Sequence, residues 1–246
     1  YQEKYRLEKR KSAKVFHDTL VAFAERRIIT MIENERIHMY IHSLEQDLSP
    51  TLHTIEQEAL EDAVPIIKKP TQTLLQFLVR LHKPLRILEV GCAVGFSAIL
   101  MSEEMPEGGH ITTIENYDKR IPIARANFKR AGKEEQIDLI EGDALEVMHG
   151  LEGPYDLIFV DAAKGQYIHY LPEVMRLLGT DGVLVSDNVL QEGDIIESRF
   201  AVERRNRTIH SRMREYLYEL KHHDQLQTSI IPLGDGVALS VKRSDI

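Results

Sequence analysis

Tryptophan is absent from the 246 residues, and cysteine occurs once, at Cys92. A single cysteine excludes an internal disulfide and a cysteine-held metal cluster, so a reducing, cytoplasmic setting is expected. No apolar run reaches the ~18 residues of a membrane-spanning helix, and no charged, apolar, small-residue leader pattern is present; no membrane association is expected. Positive charge does not predominate either. Lys and Arg total 31 against 39 Asp and Glu, a net charge of −8. That balance argues against general coating of nucleic acid and leaves room for a local basic patch. What the chain does have is a 43% hydrophobic content, enough for one good core. Residues 1–31, with Lys4, Arg6, Lys9, Arg10, Lys11 and Lys14 among few apolar positions, read as an N-terminal extension before a domain at 32–246.

The densest signal is Ile87-Leu88-Glu89-Val90-Gly91-Cys92-Ala93-Val94-Gly95-Phe96-Ser97. An apolar strand, a glycine turn and a helix start form a cradle in which bare backbone approaches a nucleotide-type cofactor. The spacing Glu-x-Gly-x-x-x-Gly differs from Gly-x-Gly-x-x-Gly, so a dinucleotide pyrophosphate grip is incomplete and a nicotinamide dehydrogenase is disfavoured. Strand patterns at 87–90, 110–115, 137–140, 156–160 and 182–186 alternate with helical ones at 97–104, 119–131, 144–150 and 167–178. This alternation specifies an α/β, Rossmann-like parallel sheet with helices on both faces. A long helical run at 198–220 precedes strands at 228–232 and 237–241, which Leu233-Gly234-Asp235-Gly236 joins as a hairpin, making the last strand antiparallel. The total is seven strands. Residues 37–67 read as N-terminal helices broken at Ser49-Pro50, with Thr54 and Gln57 spaced as a capping box.

Ligands in such sheets bind beyond the carboxyl ends of the strands. Those ends carry Glu89 and Gly91, then Glu115, Asp143-Ala144, Asp161, and Asp187-Asn188. Glu115 can accept ribose hydroxyls and Asp143 can meet a base edge, although an Asp in that place is as often a helix cap. Asp161, Asp187 and Asn188 offer hard oxygen donors suited to Mg²⁺. Lys164, three residues beyond Asp161, is placed to act as a general base beside such an ion. The segment 199–214 holds six arginines, a candidate phosphate-contacting surface, with a solvated helix face as the bland reading. Tyr167 and Tyr170 read as packing residues, Tyr167 also as a possible stacking platform.

The run Tyr155-Asp156-Leu157-Ile158-Phe159-Val160-Asp161-Ala162-Ala163-Lys164-Gly165-Gln166-Tyr167 resembles the metal-dependent class I O-methyltransferases that include the catechol and caffeoyl-coenzyme A enzymes. The resemblance covers roughly residues 37–243 and takes in Val64-Pro65-Ile66-Ile67, the glycine turn, Gly142-Asp143-Ala144, Asp187-Asn188 and Leu233-Gly234-Asp235-Gly236. Within that family it is most similar to the tRNA 5-hydroxyuridine branch. The resemblance implies the class I methyltransferase sheet, S-adenosyl-L-methionine as cofactor and a homodimer. It puts Asp161, Asp187 and Asn188 on the metal ligands and Lys164, with Asp161, on the catalytic positions. Ile67, Glu89, Gly91, Ser97, Glu115, Asp143, Ala144 and Asp161 fall on cofactor contacts. The implied reaction is Mg²⁺-dependent methylation of the wobble 5-hydroxyuridine in a tRNA anticodon loop, with Arg204, Arg205 and Arg207 as RNA contacts. A small-molecule catechol or hydroxycinnamoyl methyltransferase is the alternative, and a non-catalytic RNA-binding module is a third reading. Ala162-Ala163 precede the lysine where catechol enzymes carry bulk, which favours a wider mouth.

Overall fold

A computed structural model describes residues 35–244; the extension 1–31 and its basic stretch lie outside the described residues. The chain divides into two compact units between Gln46 and Asp47. In the first, the described part carries helix α1 (Glu35–His42). The second holds strands β1 (Arg86–Val90), β2 (His110–Glu115), β3 (Ile137–Glu141), β4 (Tyr155–Val160), β5 (Leu178–Ser186), β6 (Leu226–Ile231) and β7 (Val237–Lys242). They form one seven-stranded sheet in the order β3-β2-β1-β4-β5-β7-β6. The first five run parallel, and β7 is antiparallel to both β5 and β6, as the hairpin signal predicts.

Alternation along β4 shows why both faces are covered. Leu157 and Phe159 join the core beneath α2 (Pro50–Glu61), α3 (Lys69–His82), α4 (Phe96–Glu104) and α5 (Ile121–Arg130). Ile158 and Val160 join the opposite core with α6 (Ala144–Gly150), α7 (Tyr167–Leu177) and α8 (Arg207–His222). Successive side chains point to opposite faces, so a strand buried on both sides reads as a continuous apolar run. No helix among the described residues is long and apolar enough to cross a membrane.

Three local expectations are corrected. The cap of α2 is Ser49, whose Oγ accepts from the Leu52 amide at 3.3 Å, with Pro50 opening the helix. Thr54 lies inside the helix and donates to the Pro50 carbonyl, so the Thr54/Gln57 capping box does not form. Helix α3, not anticipated from the sequence, packs Leu75 and Val79 inward and leaves Phe77 and Leu81 exposed. The helix expected over 198–220 begins only at Arg207. Before it comes a loop with a 3-10 turn at Arg204–Asn206, preceded by three consecutive positive-φ residues, Gln191, Glu192 and Gly193.

One glycine fixes the spacing of the two central strands. Gly91 has φ +104°, and a Cβ there would lie well inside contact distance of the Asp161 carbonyl oxygen. Both the conformation and the approach require a bare backbone. Gly91→Ala is therefore expected to lose at least about 2 kcal/mol of stability in denaturant unfolding. A loss under ~0.5 kcal/mol, the range of neutral surface changes, would show that the strand ends can part without cost.

Candidate active site

The ends of β1, β2, β4 and β5 border one cavity of about 660 Å³. On its first side the glycine turn is locked by its neighbour strand. The Gly91 and Cys92 amides both donate to the Ile114 carbonyl at 3.1 Å. Glu115 then braces the turn: Oε2 accepts from the Ala93 amide at 2.7 Å, and Oε1 from the Asn116 and Tyr117 amides at 3.0 and 2.9 Å. Oε1 is thereby filled, and Oε2 keeps one lone pair toward the cavity that Glu115 lines.

Of the residues expected as cofactor contacts, Ile67, Gly91, Ser97, Glu115, Ala144 and Asp161 line this cavity. Glu89 and Asp143 are not among its lining residues. Asp143 is the N-cap of α6, its Oδ1 accepting from the Leu145 and Glu146 amides at 2.9 and 3.3 Å. Glu89 lies beneath the floor, fully buried, where Ser97 and Thr113 hydroxyls donate to it at 2.6 and 2.5 Å. Since the Ser97 proton points down at Glu89, its oxygen faces the cavity as an acceptor. Glu89 thus acts on the cavity through Ser97.

The second side is acidic. Asp161 follows β4, Asp187 and Asn188 follow β5, and all three line the cavity with Lys164 and Asp235. The five are brought together by four elements: the β4 end, the 3-10 turn Lys164–Gln166, the β5 end and the β6–β7 hairpin. Lys164 Nζ lies 3.2 Å from Asp235 Oδ2. Asp187 Oδ1 accepts from the Asn188 amide at 2.8 Å, with Thr71 Oγ1 at 3.5 Å. Burial, then the neighbouring charge of Asp187, pushes Asp161 up to about 7 despite Lys164. Burial likewise raises Asp187, reinforced by Asp235. Crowded carboxyls in low dielectric repel one another, and a cation among them relieves that cost. No group of three or more His, Cys, Asp or Glu suited to a metal occurs among the described residues. The donor set that fits is two carboxylates and the Asn188 carboxamide, all oxygen, with room in the cavity for further ligands.

Asp235 also lines the cavity, although the sequence analysis takes Leu233–Gly236 as a hairpin turn and a motif of the resemblance and gives Asp235 no site role. The available signal was an acidic side chain between two glycines at a hairpin facing the strand ends. Tyr167, offered as a stacking platform, is buried and absent from the cavity wall, whereas Tyr170 does line it.

The arginine segment is less open than its composition implies. Arg207 donates to the Val202 and Phe200 carbonyls, Arg212 to Gly165 and Arg214 to Ile195. Arg205 pairs with Glu203 at 2.8 Å on the surface, and Arg199 and Arg204 are exposed. None of the arginines at 204, 205 or 207 lines the cavity.

Residues 42–243 match the family described as O-methyltransferase. The chain belongs to the O-methyltransferase family. It is 31% identical to a catechol O-methyltransferase of Niastella koreensis over 66% of this chain and 76% of that protein. It is 27% identical to a caffeoyl-CoA O-methyltransferase of Stellaria longipes over 70% and 76%. The solved S-adenosylhomocysteine-bound methyltransferase of Podospora anserina superposes with a TM-score of 0.77 at 27% identity, over 86% of this chain and 95% of that one. As in any O-methyltransferase, the chemistry needs an oxygen nucleophile held in line with a methyl donor.

The buried Glu89 gives a stability test of this wall. Desolvation raises it from 4.5 to about 7, against the opposing hydroxyl contacts. A carboxyl raised on folding contributes stability that is full below the unfolded value and lost as pH rises through the folded one. Wild type should therefore lose stability between pH 4.5 and about 7 more steeply than Glu89→Gln. Melting temperatures of both proteins across that window check this, and parallel curves would reject the assignment.

Proposed function

We propose that this protein transfers a methyl group from S-adenosylmethionine to one of two adjacent oxygens on its acceptor, with Mg²⁺ held by Asp161, Asp187 and Asn188. The observation that carries this reading is the continuity of the cavity from Ser97, Glu115 and Ala144 to Asp161, Lys164, Asp187 and Asn188. The S-adenosylhomocysteine bound to the Podospora relative supports the cofactor.

When bound, the sulfonium supplies the methyl group and the divalent cation lowers the pKa of the acceptor hydroxyl. The chain's residues do the rest. Glu115 would accept a ribose hydroxyl at the one lone pair of Oε2 that its three amide contacts leave over. Ser97 presents its oxygen to the amino acid end, where an ammonium can donate. Ile67 and the Ala144 amide side wall the remaining length of the cofactor. Lys164 takes the proton from the acceptor hydroxyl as the carbon–oxygen bond forms and the sulfur–carbon bond breaks, leaving S-adenosylhomocysteine. Lys164 would enter that transfer as the neutral amine, and Asp235, 3.2 Å away, would hold the nitrogen in place and pair with the ammonium that forms.

As acceptor we place first the 5-hydroxyl of wobble 5-hydroxyuridine in tRNA, which with O4 offers two adjacent oxygens. The exposed Ala163 beside Lys164 and the exposed Arg199, Arg204 and Arg205 support a nucleotide presented by a large anion. A catechol or hydroxycinnamoyl compound is the second reading. The two curated relatives favour it, and so does the engagement of Arg207, Arg212 and Arg214 with backbone carbonyls.

The deciding experiment mixes the protein, S-adenosylmethionine and Mg²⁺ with either tRNA bearing 5-hydroxyuridine or a catechol, and follows methyl gain by mass spectrometry. Gain on tRNA, abolished by chelator, supports the first reading; gain on the catechol alone replaces it with the second. Lys164→Met is expected to lower kcat by about 10²- to 10⁴-fold on the true acceptor. Arg204→Ala with Arg205→Ala should weaken methylation of tRNA with catechol turnover unaffected, since neither side chain lines the cavity. An equal loss on both acceptors would remove these arginines from substrate contact.

A further inference from the structure

Tyr167 has no place in the cavity, yet its hydroxyl meets both strand ends that carry the acidic side chains. The ring is buried, packed edge-on against Tyr216 at 5.5 Å between centroids. Its oxygen lies 3.2 Å from the Val160 carbonyl and 3.2 Å from the Asp187 carbonyl. Val160 immediately precedes Asp161, and Asp187 immediately precedes Asn188. The Val160 carbonyl also accepts from the Asp187 amide at 3.0 Å, the last tie between β4 and β5. The hydroxyl therefore sits across the two peptides from which all three proposed ligands project.

The second of those peptides is strained. Asn188 has φ +56°, a left-handed conformation that costs a non-glycine residue on the order of 1 kcal/mol. Such a conformation persists only where its surroundings over-determine it. A phenol is protonated at neutral pH and donates one hydrogen, which the two carbonyls share. The contact to the Asp187 carbonyl fixes the peptide plane at the point where the chain turns into that conformation, and so the direction in which the Asn188 carboxamide leaves the backbone.

We infer that Tyr167 is a positioning residue for the proposed metal site, its hydroxyl holding the Asp161 and Asn188 peptides in the geometry their side chains need. The inference rests on the metal reading above and adds a residue to it. Tyr216 supplies a matched comparison: it belongs to the same buried cluster, but its hydroxyl bonds the Ser186 side chain at 2.7 Å and no ligand-bearing peptide.

The test is a Mn²⁺ titration of the full chain, without cofactor or acceptor, on wild type, Tyr167→Phe and Tyr216→Phe, followed by calorimetry. Each variant loses one oxygen and keeps its ring, and circular dichroism melts verify that both fold. Tyr167→Phe is expected to weaken Mn²⁺ binding about 10-fold, the usual effect of removing a partner that orients a ligand, and Tyr216→Phe by less than about 2-fold. In turnover, the Mg²⁺ concentration for half-maximal rate should rise by the same factor in Tyr167→Phe, with kcat at saturating Mg²⁺ little changed. Equal shifts in the two variants would reduce the effect to softening of the cluster and overturn the inference, as would an unshifted Tyr167→Phe. Absence of Mn²⁺ binding by wild type would instead overturn the metal reading beneath it.

Discussion

The passage of the Gly91 backbone against the Asp161 carbonyl is the constraint on which the cavity depends. It lets the ends of β1 and β4 converge with no side chain between them. From there the contacts run in series across the sheet. The Asp161 amide donates to Val90, the Asp187 amide to Val160, and the Gly91 and Cys92 amides to Ile114. Each such bond contributes about 1 kcal/mol net. Their larger effect is geometric, because four strand ends take their positions from one another. A displacement at Gly91 would therefore reach the acidic side directly, through the backbone of Asp161.

Two buried groups extend that logic below the floor. Glu89 receives the Ser97 and Thr113 hydroxyls, and Tyr167 spans the Val160 and Asp187 carbonyls. Neither reaches the cavity, and an apolar residue in either place would bury more easily. What each adds is direction. A serine hydroxyl can rotate, and a left-handed peptide can relax, unless a fixed partner removes the alternative. The two sides of the cavity are thus oriented by different chemistry, an acid beneath the serine and a phenol behind the carboxyls.

The sheet was legible because its strands are apolar runs with polar residues at their carboxyl ends, and the glycines mark where bare backbone is needed. Helix α3 was not, because Leu74, Leu75, Phe77, Leu78 and Val79 put apolar residues on both buried and exposed faces and blur the helical period. The loop at 198–206 misled for a different reason: its residues favour helix, but tertiary contacts win. His210, Arg207 and Arg214 reach back to the carbonyls of Glu197, Phe200, Val202 and Ile195 and hold the loop open. The same contacts explain why a count of six arginines overstated the basic surface. Of the site, the strand-end carboxylates and Lys164 could be read from position. Asp235, Tyr167 and the indirect role of Glu89 required knowing which groups face which.

The acidic side also shows why Lys164 does not by itself balance its neighbours. Three carboxyls, Asp161, Asp187 and Asp235, stand against one ammonium, and the ammonium is drawn to Asp235 at the hairpin. Asp161 is buried and left with Asp187 across the strand ends, and burial first, then that neighbouring charge, pushes it up to about 7. A second cation placed between them would reverse that response, since a nearby positive charge favours the ionised form. Lys164 would then stay with Asp235 at the hairpin, on the same cavity wall as Asp161 and Asp187. In this way the hairpin carboxylate draws the lysine to one side of the position proposed for the divalent ion.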